Sequence, residues 1–108
     1  MSGISISLVI SKKYARVEVY INRGDKDENK KIFDYFYSIK DEIESDFGNS
    51  LIWERMEDNV TSRIKYQLDG VDVSSETDWP KMNGFLIDGV VRMIKSFKEP
   101  VRKVRNKI

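Results

Sequence analysis

The hydrophobic pattern of this chain changes its period along the sequence, and that change constrains the fold more than any other feature. Apolar residues occupy every second position over residues 4–10 and again over residues 15–21, with Lys12-Lys13 between the two runs. A period of two is typical of a strand with one buried face. The first part of the chain therefore predicts two strands joined in a hairpin.

Residues 25–48 follow the helical period instead. Asp25 and Glu28 stand three apart, close to the spacing of a capping box at a helix start. Gly48 suits a left-handed C-terminal cap. The apolar positions between them are spaced by three or four residues, as on one face of a helix. They are Ile32, Phe36, Ile39, Ile43 and Phe47. The pattern predicts one long amphipathic helix.

Two more strands and a second helix are predicted in the rest of the chain. Residues 51–56 suit a third strand, and residues 64–68 alternate as a fourth, which the Asp69-Gly70 turn ends. Pro80 fits the first turn of a helix, and Pro100 predicts its end or a kink near Lys98. The buried stripe of this helix is formed by Met82, Leu86, Gly89, Met93 and Phe97, broadened by Phe85, Val90 and Ile94.

The order of these elements predicts the fold class. Adjacent strands favour antiparallel pairing, so we expect one α+β domain over residues 1–108 in the order ββαββα. It has a four-stranded, mainly antiparallel sheet with two long helices on one face, and residues 101–108 form a basic tail. The other sheet face is wet or covered by a partner, and it carries Arg16, Glu18, Tyr20, Lys65 and Gln67.

Composition excludes several kinds of chemistry. The 108 residues include no histidine and no cysteine, which excludes disulfides, thiolate or imidazole metal sites and Ser-His-Asp catalysis. No apolar run approaches the ~20 residues of a membrane-spanning helix, and no basic segment resembling a signal peptide precedes the first strand. We therefore expect a cytoplasmic protein without membrane contact and without a cofactor.

Several short motifs resemble a known family. They are Phe33 with Phe36, the Ile43-Glu44 pair, Phe47-Gly48, residues 51–54 (Leu-Ile-Trp-Glu), residues 62–64 (Ser-Arg-Ile) and Trp79. From the second predicted strand to Pro100, the chain resembles the prokaryotic domain-of-unknown-function family numbered 4268. Members of that family often follow segments similar to restriction-type nucleases, so the resemblance implies an accessory role near nucleic-acid processing. Residues 1–108 themselves include no such nuclease-like segment.

A possible clasp between helix and sheet involves three of these residues. Glu44 neighbours the buried stripe of the first helix, and Arg63 begins the fourth strand. A Glu44–Arg63 ion pair, with Trp53 packed beside it, would join the two elements. Removing one partner of a desolvated pair costs about 3–5 kcal/mol. The same three residues are alternatively a ligand or partner site.

Basic residues concentrate at the C-terminal end. They are Arg92, Lys95, Lys98, Arg102, Lys103, Arg105 and Lys107, against Glu99 alone. Such a cluster predicts contact with nucleic acid or with another protein segment, and it also suits a solvated helix end stabilised by the macrodipole. Tyr20, on the exposed face of the second strand, is a candidate interface residue.

The spacing of the carboxylates does not match the motif of a metal-dependent nuclease. Asp69 and Asp72 flank a turn, and Glu54, Glu57 and Asp58 lie close together, but neither group has the Asp then Glu-x-Lys arrangement. The sequence therefore predicts a non-enzymatic accessory or protein-interaction module. Nucleic-acid binding is the alternative, and a homodimer through a sheet face or edge is a further expectation.

Overall fold

The first two strands form the predicted hairpin. In this computed structural model, which describes residues 2–107, β1 spans Ile4–Ile10 and β2 spans Tyr14–Ile21. The strands pair antiparallel over their whole length. The Ser11 hydroxyl oxygen accepts hydrogen bonds from the backbone amides of Lys13 and Tyr14, each at 3.1 Å, and so stabilises the turn.

The remaining strands complete a four-stranded sheet. β3 spans Ile52–Glu54 and β4 spans Ser62–Asp69. β4 lies between β2 and β3, so the strand order is β1-β2-β4-β3, and each neighbouring pair is antiparallel. The predicted α+β class and antiparallel sheet are confirmed. β1 and β3 are the two edges.

The predicted first helix is interrupted at Ile39. α1 spans Lys26–Ser38, and the carboxylate of its N-cap Asp25 accepts hydrogen bonds from the backbone amides of Asp27 and Glu28. α2 spans Lys40–Phe47. Between them Ile39 adopts φ −116° and ψ 27°, and its amide donates to the Phe36 carbonyl only three residues back. This tightened turn separates the helices, so the prediction of one continuous helix is wrong. Gly48, at φ +90°, ends α2 as predicted.

The last helix is longer than predicted. α3 spans Trp79–Arg105, after a 3-10 turn over Glu76–Asp78. Of the two outcomes predicted at Pro100, an end of the helix near Lys98 is wrong, and the predicted tail is helical as far as Arg105. Pro100 has no amide to donate within the helix, but Pro100 and Val104 are both buried, and their packing compensates for the lost hydrogen bond. Within residues 2–107, no helix is long and apolar enough to cross a membrane.

All three helices pack against one face of the sheet. The β2 side chains on that face, from Ala15 to Ile21, are fully buried, as is Ile64 of β4. They share one core with Phe36 of α1 and Met93 of α3. α3 crosses β2 very closely at Gly89, where an added Cβ would lie 2.9 Å from Val17 Cγ2. In the described part of the chain, no helix lies on the opposite sheet face.

Candidate functional site

Glu44 joins α2 to the start of β3. Its Oε2 atom accepts hydrogen bonds from the Leu51 amide at 2.7 Å and from the Trp53 indole nitrogen at 3.1 Å. The Trp53 ring lies edge-on to Phe33 and Tyr37 of α1. The predicted association of Glu44 with Trp53 is therefore present, and the arrangement of these groups supports a structural role.

Arg63 does not take part in this contact. Trp53 and Ile64 are paired in the sheet and face the helices, so their neighbours Glu54 and Arg63 face the opposite side. Arg63 Nε lies 3.1 Å from Glu18 Oε2 and 3.9 Å from Glu54 Oε1. The predicted Glu44–Arg63 pair is wrong, because the period of two in β4 separates the two side chains by the thickness of the sheet.

The open sheet face carries a network of charges. Glu18 is its centre: it pairs with Arg16 at 3.3 Å as well as with Arg63, and it is only 5% exposed. Lys65 pairs with Glu54 at 3.4 Å. Since no helix covers this face, the long side chains on neighbouring strands bury Glu18. Tyr20, the predicted interface residue, lies partly exposed at its margin, opposite Ser5 and Arg63.

Lys30 forms a second structural contact, which the sequence reading did not identify. Its ammonium donates to the carbonyls of Arg55, Met56 and Thr61 and to the Ser62 hydroxyl, at 2.5 to 2.9 Å. These bonds attach the β3–β4 loop to α1. Burial, followed by the nearby charge of Arg55, lowers the pKa of Lys30. Its spacing in the sequence could have identified it. Lys30 lies three residues before the buried Phe33, and residues three apart share one side of a helix.

The predicted basic cluster divides into engaged and free residues. Arg92 pairs with Asp88 at 3.0 Å and donates to the carbonyl of Phe47 at the end of α2. Arg102 binds Glu99, which raises the pKa of the guanidinium and lowers that of the carboxyl. Lys107 lies over the Tyr35 ring. Within residues 2–107, the exposed members that make no such contact are Lys95, Lys98, Lys103 and Arg105.

The carboxylates considered for metal binding do not converge. The Asp69 carboxylate accepts a hydrogen bond from the side-chain amide of Gln67. The Asp72 carboxylate accepts from the hydroxyl and the backbone amide of Ser74, and these bonds lower the pKa of Asp72. Glu57 pairs with Arg55. In the part of the chain that the structure describes, no group of three or more acidic residues is placed to hold a metal ion.

An apolar surface lies where β1 meets α3. We define the β1–α3 surface by its five most exposed aliphatic residues, Leu8, Ile10, Ile87, Val91 and Ile94, which are 50–66% exposed. The first two lie on the helix-facing side of the edge strand, beyond the cover of α3. The other three recur at four- and three-residue spacing and so share one side of α3. The prediction that Ile94 belongs to the buried stripe is wrong.

Two grooves bound this surface at either end of β1. One is lined by Ile4, Ile6 and Ile94 together with Phe97 and Val101. The other is lined by Ile10 and by residues at the start of α3, including Trp79 and Met82. Each groove thus joins one end of β1 to α3, the first near the last turns of the helix, where Lys98 also lines it, and the second near the helix start.

Comparison with known proteins gives one match. The model of the family described as "Domain of unknown function (DUF4268)" matches residues 1–101. The chain belongs to this family. The match includes all four strands, α1, α2 and most of α3, so it covers nearly the whole α+β fold rather than one motif. No curated protein and no solved structure matches the chain significantly.

Proposed function

We propose that this member of the DUF4268 family is a non-catalytic protein-interaction module whose contact region is the β1–α3 surface. The observation that carries the proposal is that five aliphatic side chains, each at least half exposed, lie on the edge strand β1 and on one side of α3, which packs beside that strand. Exposed apolar patches of this kind mark interaction sites. The resemblance to domains that follow nuclease-like segments supports an accessory setting next to nucleic-acid processing.

The polar groups support the non-catalytic part of the proposal. Glu44 and Lys30 direct their charges at backbone groups and side chains of the chain itself. Glu18 is surrounded by arginine and lysine on the open face. Glu44, Lys30 and Glu18 thus each contact other groups of the chain itself, which is the arrangement expected of charges that maintain a fold.

The first test asks whether the surface is needed for folding. An interaction surface is dispensable for the fold of one copy. At a chain concentration too low for self-association, Ile87→Lys with Val91→Lys should therefore change the free energy of unfolding by less than ~0.5 kcal/mol. Met93→Lys, at a fully buried position on the same helix, serves as the matched control and should unfold the chain. A loss above ~1 kcal/mol in the double variant would show that these residues belong to the core.

The second test concerns catalysis. The chain is incubated with Mg²⁺ or Mn²⁺ and with single-stranded and duplex DNA or RNA, and its thermal midpoint is measured with and without each ion. We expect no cleavage and no shift of the midpoint. Metal-dependent cleavage that purifies with the chain would refute the non-catalytic proposal.

Nucleic-acid binding is a second candidate function, and one observation favours it. Lys95, Lys98, Arg102 and Arg105 recur at three- and four-residue spacing, so they form a basic stripe on one side of the last turns of α3. A helix with such a stripe can follow a phosphate backbone. On duplex DNA, each phosphate contact makes the slope of the logarithm of the binding constant against the logarithm of the salt concentration more negative by about 0.9.

Point substitutions test this candidate, because truncation would remove the buried Val104. Lys95→Gln, Lys98→Gln and Arg105→Gln together should abolish a salt-sensitive gel shift. Lys12→Gln with Lys13→Gln, at the exposed hairpin turn, is the control and should retain most of it. A wild-type chain that gives no shift at low salt would exclude this function.

A further inference from the structure

The outer edge of β1 presents unpaired backbone groups. The Asn22 amide donates to the Gly3 carbonyl at 2.7 Å, and the Ser11 amide donates to the Tyr14 carbonyl at 2.9 Å. Hydrogen-bonded pairs alternate along an antiparallel ladder, so the odd-numbered residues of β1 bond to β2. The even-numbered residues direct their amides and carbonyls outward. Within residues 2–107, β2 is the one strand that pairs with β1.

Building on the proposed interaction function, we propose that the partner at the β1–α3 surface is a second copy of this chain. The two β1 strands pair antiparallel about a two-fold axis and form one continuous eight-stranded sheet from two four-stranded sheets. In the register that pairs all of Ile4–Ile10, Ile4 lies opposite Ile10 and Ile6 lies opposite Leu8. Ser7 lies opposite the Ser7 of the second copy. This register also places the outward-facing backbone groups opposite one another.

The chemistry of β1 suits pairing with itself. Edge strands of monomeric proteins carry charges, proline or bulges that prevent sheet extension, whereas β1 reads Ile-Ser-Ile-Ser-Leu-Val-Ile and has none of these. On the helix-facing side, the two-fold places aliphatic residues opposite aliphatic residues. On the open side it places the small Ser7 side chains at the axis, where they do not clash.

The position of α3 also fits a two-fold at β1. The two β2 strands would lie three strand spacings apart, which is ~14 Å. α3 crosses β2 at Gly89 and extends toward β1, since Ile94 lines a groove with Ile4 and Ile6. Helices pack at about 8–10 Å, so two such helices would meet across the axis. Ile87, Val91 and Ile94 would fill the space between them.

The size of the surface is sufficient for an interface. Five aliphatic side chains that are 50–66% exposed present on the order of 500 Å² of apolar area per copy, against about 800 Å² per partner in a standard interface. The backbone edge of β1 and the two grooves add to this area. The dimer would remove from water the most exposed aliphatic residues of both β1 and α3.

A single cysteine tests the register directly, because the chain contains none. In the proposed dimer the two Ser7 residues form a non-hydrogen-bonded pair with Cα atoms about 4.5 Å apart, within reach of a disulfide. The two Ser5 residues would lie roughly 13 Å apart, four residues out of register. Ser7→Cys should therefore form a disulfide-linked dimer under mild oxidation at least ten times faster than Ser5→Cys. Equal rates, or no cross-linking of Ser7→Cys, would overturn the proposal.

Sedimentation equilibrium tests the association itself. We expect wild-type chain to show twice the 12.7 kDa mass of one copy, and Leu8→Lys to raise the dimer Kd by roughly tenfold or more. Ile52→Lys is the matched control, since Ile52 is a similarly exposed aliphatic residue on the other edge strand, and it should leave Kd unchanged. A monomer at the highest soluble concentration would overturn the dimer, whereas metal-dependent cleavage would overturn only the proposed function.

Discussion

Lys30→Met removes the contact that holds the β3–β4 loop on α1, and it tests how much of the fold depends on that contact. Methionine keeps the length and the apolar stem of lysine but cannot donate a hydrogen bond. The Ser62 hydroxyl is fully buried and would lose the ammonium donor. The carbonyls of Arg55, Met56 and Thr61 would lose theirs as well.

The expected loss follows from two opposing contributions. A hydrogen bond to a charged group contributes about 1.5–3 kcal/mol. The three N–H donors of the Lys30 ammonium serve four acceptors, so one donor is shared between two of them. The desolvation of the ammonium offsets much of that sum, and its lowered pKa has the same cause. Since residues 57–60 are exposed, water can reach part of the freed loop. We expect a net loss of about 3–5 kcal/mol, because at least two buried acceptors are left without a donor, at about 1–3 kcal/mol each.

The assay is urea unfolding followed by circular dichroism and tryptophan fluorescence, with thermal unfolding as a second measure. A loss of this size would lower the thermal midpoint by on the order of 15 °C or more. Lys31→Met is the control, because Lys31 is the next residue of α1 and is exposed, and it should stay within ~0.5 kcal/mol of wild type. If Lys30→Met loses less than ~1 kcal/mol, the four bonds do not stabilise the loop as argued.

Two further substitutions test the close contacts of the core. Glu44→Gln keeps an acceptor for Leu51 and Trp53 but removes its charge, so urea unfolding should show a loss of about 1 kcal/mol; an unchanged midpoint would contradict a charge-assisted contact. Gly89→Ala should cost about 1–3 kcal/mol by the same assay, because its Cβ would meet Val17 at 2.9 Å. Gly84→Ala on the same helix meets nothing within 4 Å and should stabilise by up to ~1 kcal/mol, so equal effects would refute the packing argument.

Strand positions were predictable from the sequence because burial on one face imposes a period of two. The same rule, applied to β4, would have placed Arg63 on the face opposite Ile64 and excluded a pair with Glu44. Helix ends were less predictable. Pro100 ordinarily ends a helix, but here the buried Val104 lies beyond it, and packing outweighs local preference. The break at Ile39 likewise has no sequence signal as strong as proline or glycine.

Exposure of individual residues depended on where other elements lie. Ile94 follows the helical period of the buried stripe, yet it is 55% exposed because α3 lies over β2 and reaches only part of β1. Lys30 shows the opposite case, a charged residue that is buried because the β3–β4 loop folds onto it. Neither outcome follows from a local pattern, since each depends on an element distant in sequence.

The two edges of the sheet differ in a way that supports the inferred dimer. β3 has three residues, a lysine pairs with its Glu54, and Glu44 holds its start against α2. Short, charged edges of this kind resist pairing with another chain. β1 has seven residues and no charge, and its helix-facing side chains are left partly uncovered. A fold that protects one edge and leaves the other open has the asymmetry that a single two-fold interface requires, since pairing at both edges would give an open-ended assembly instead of a closed dimer.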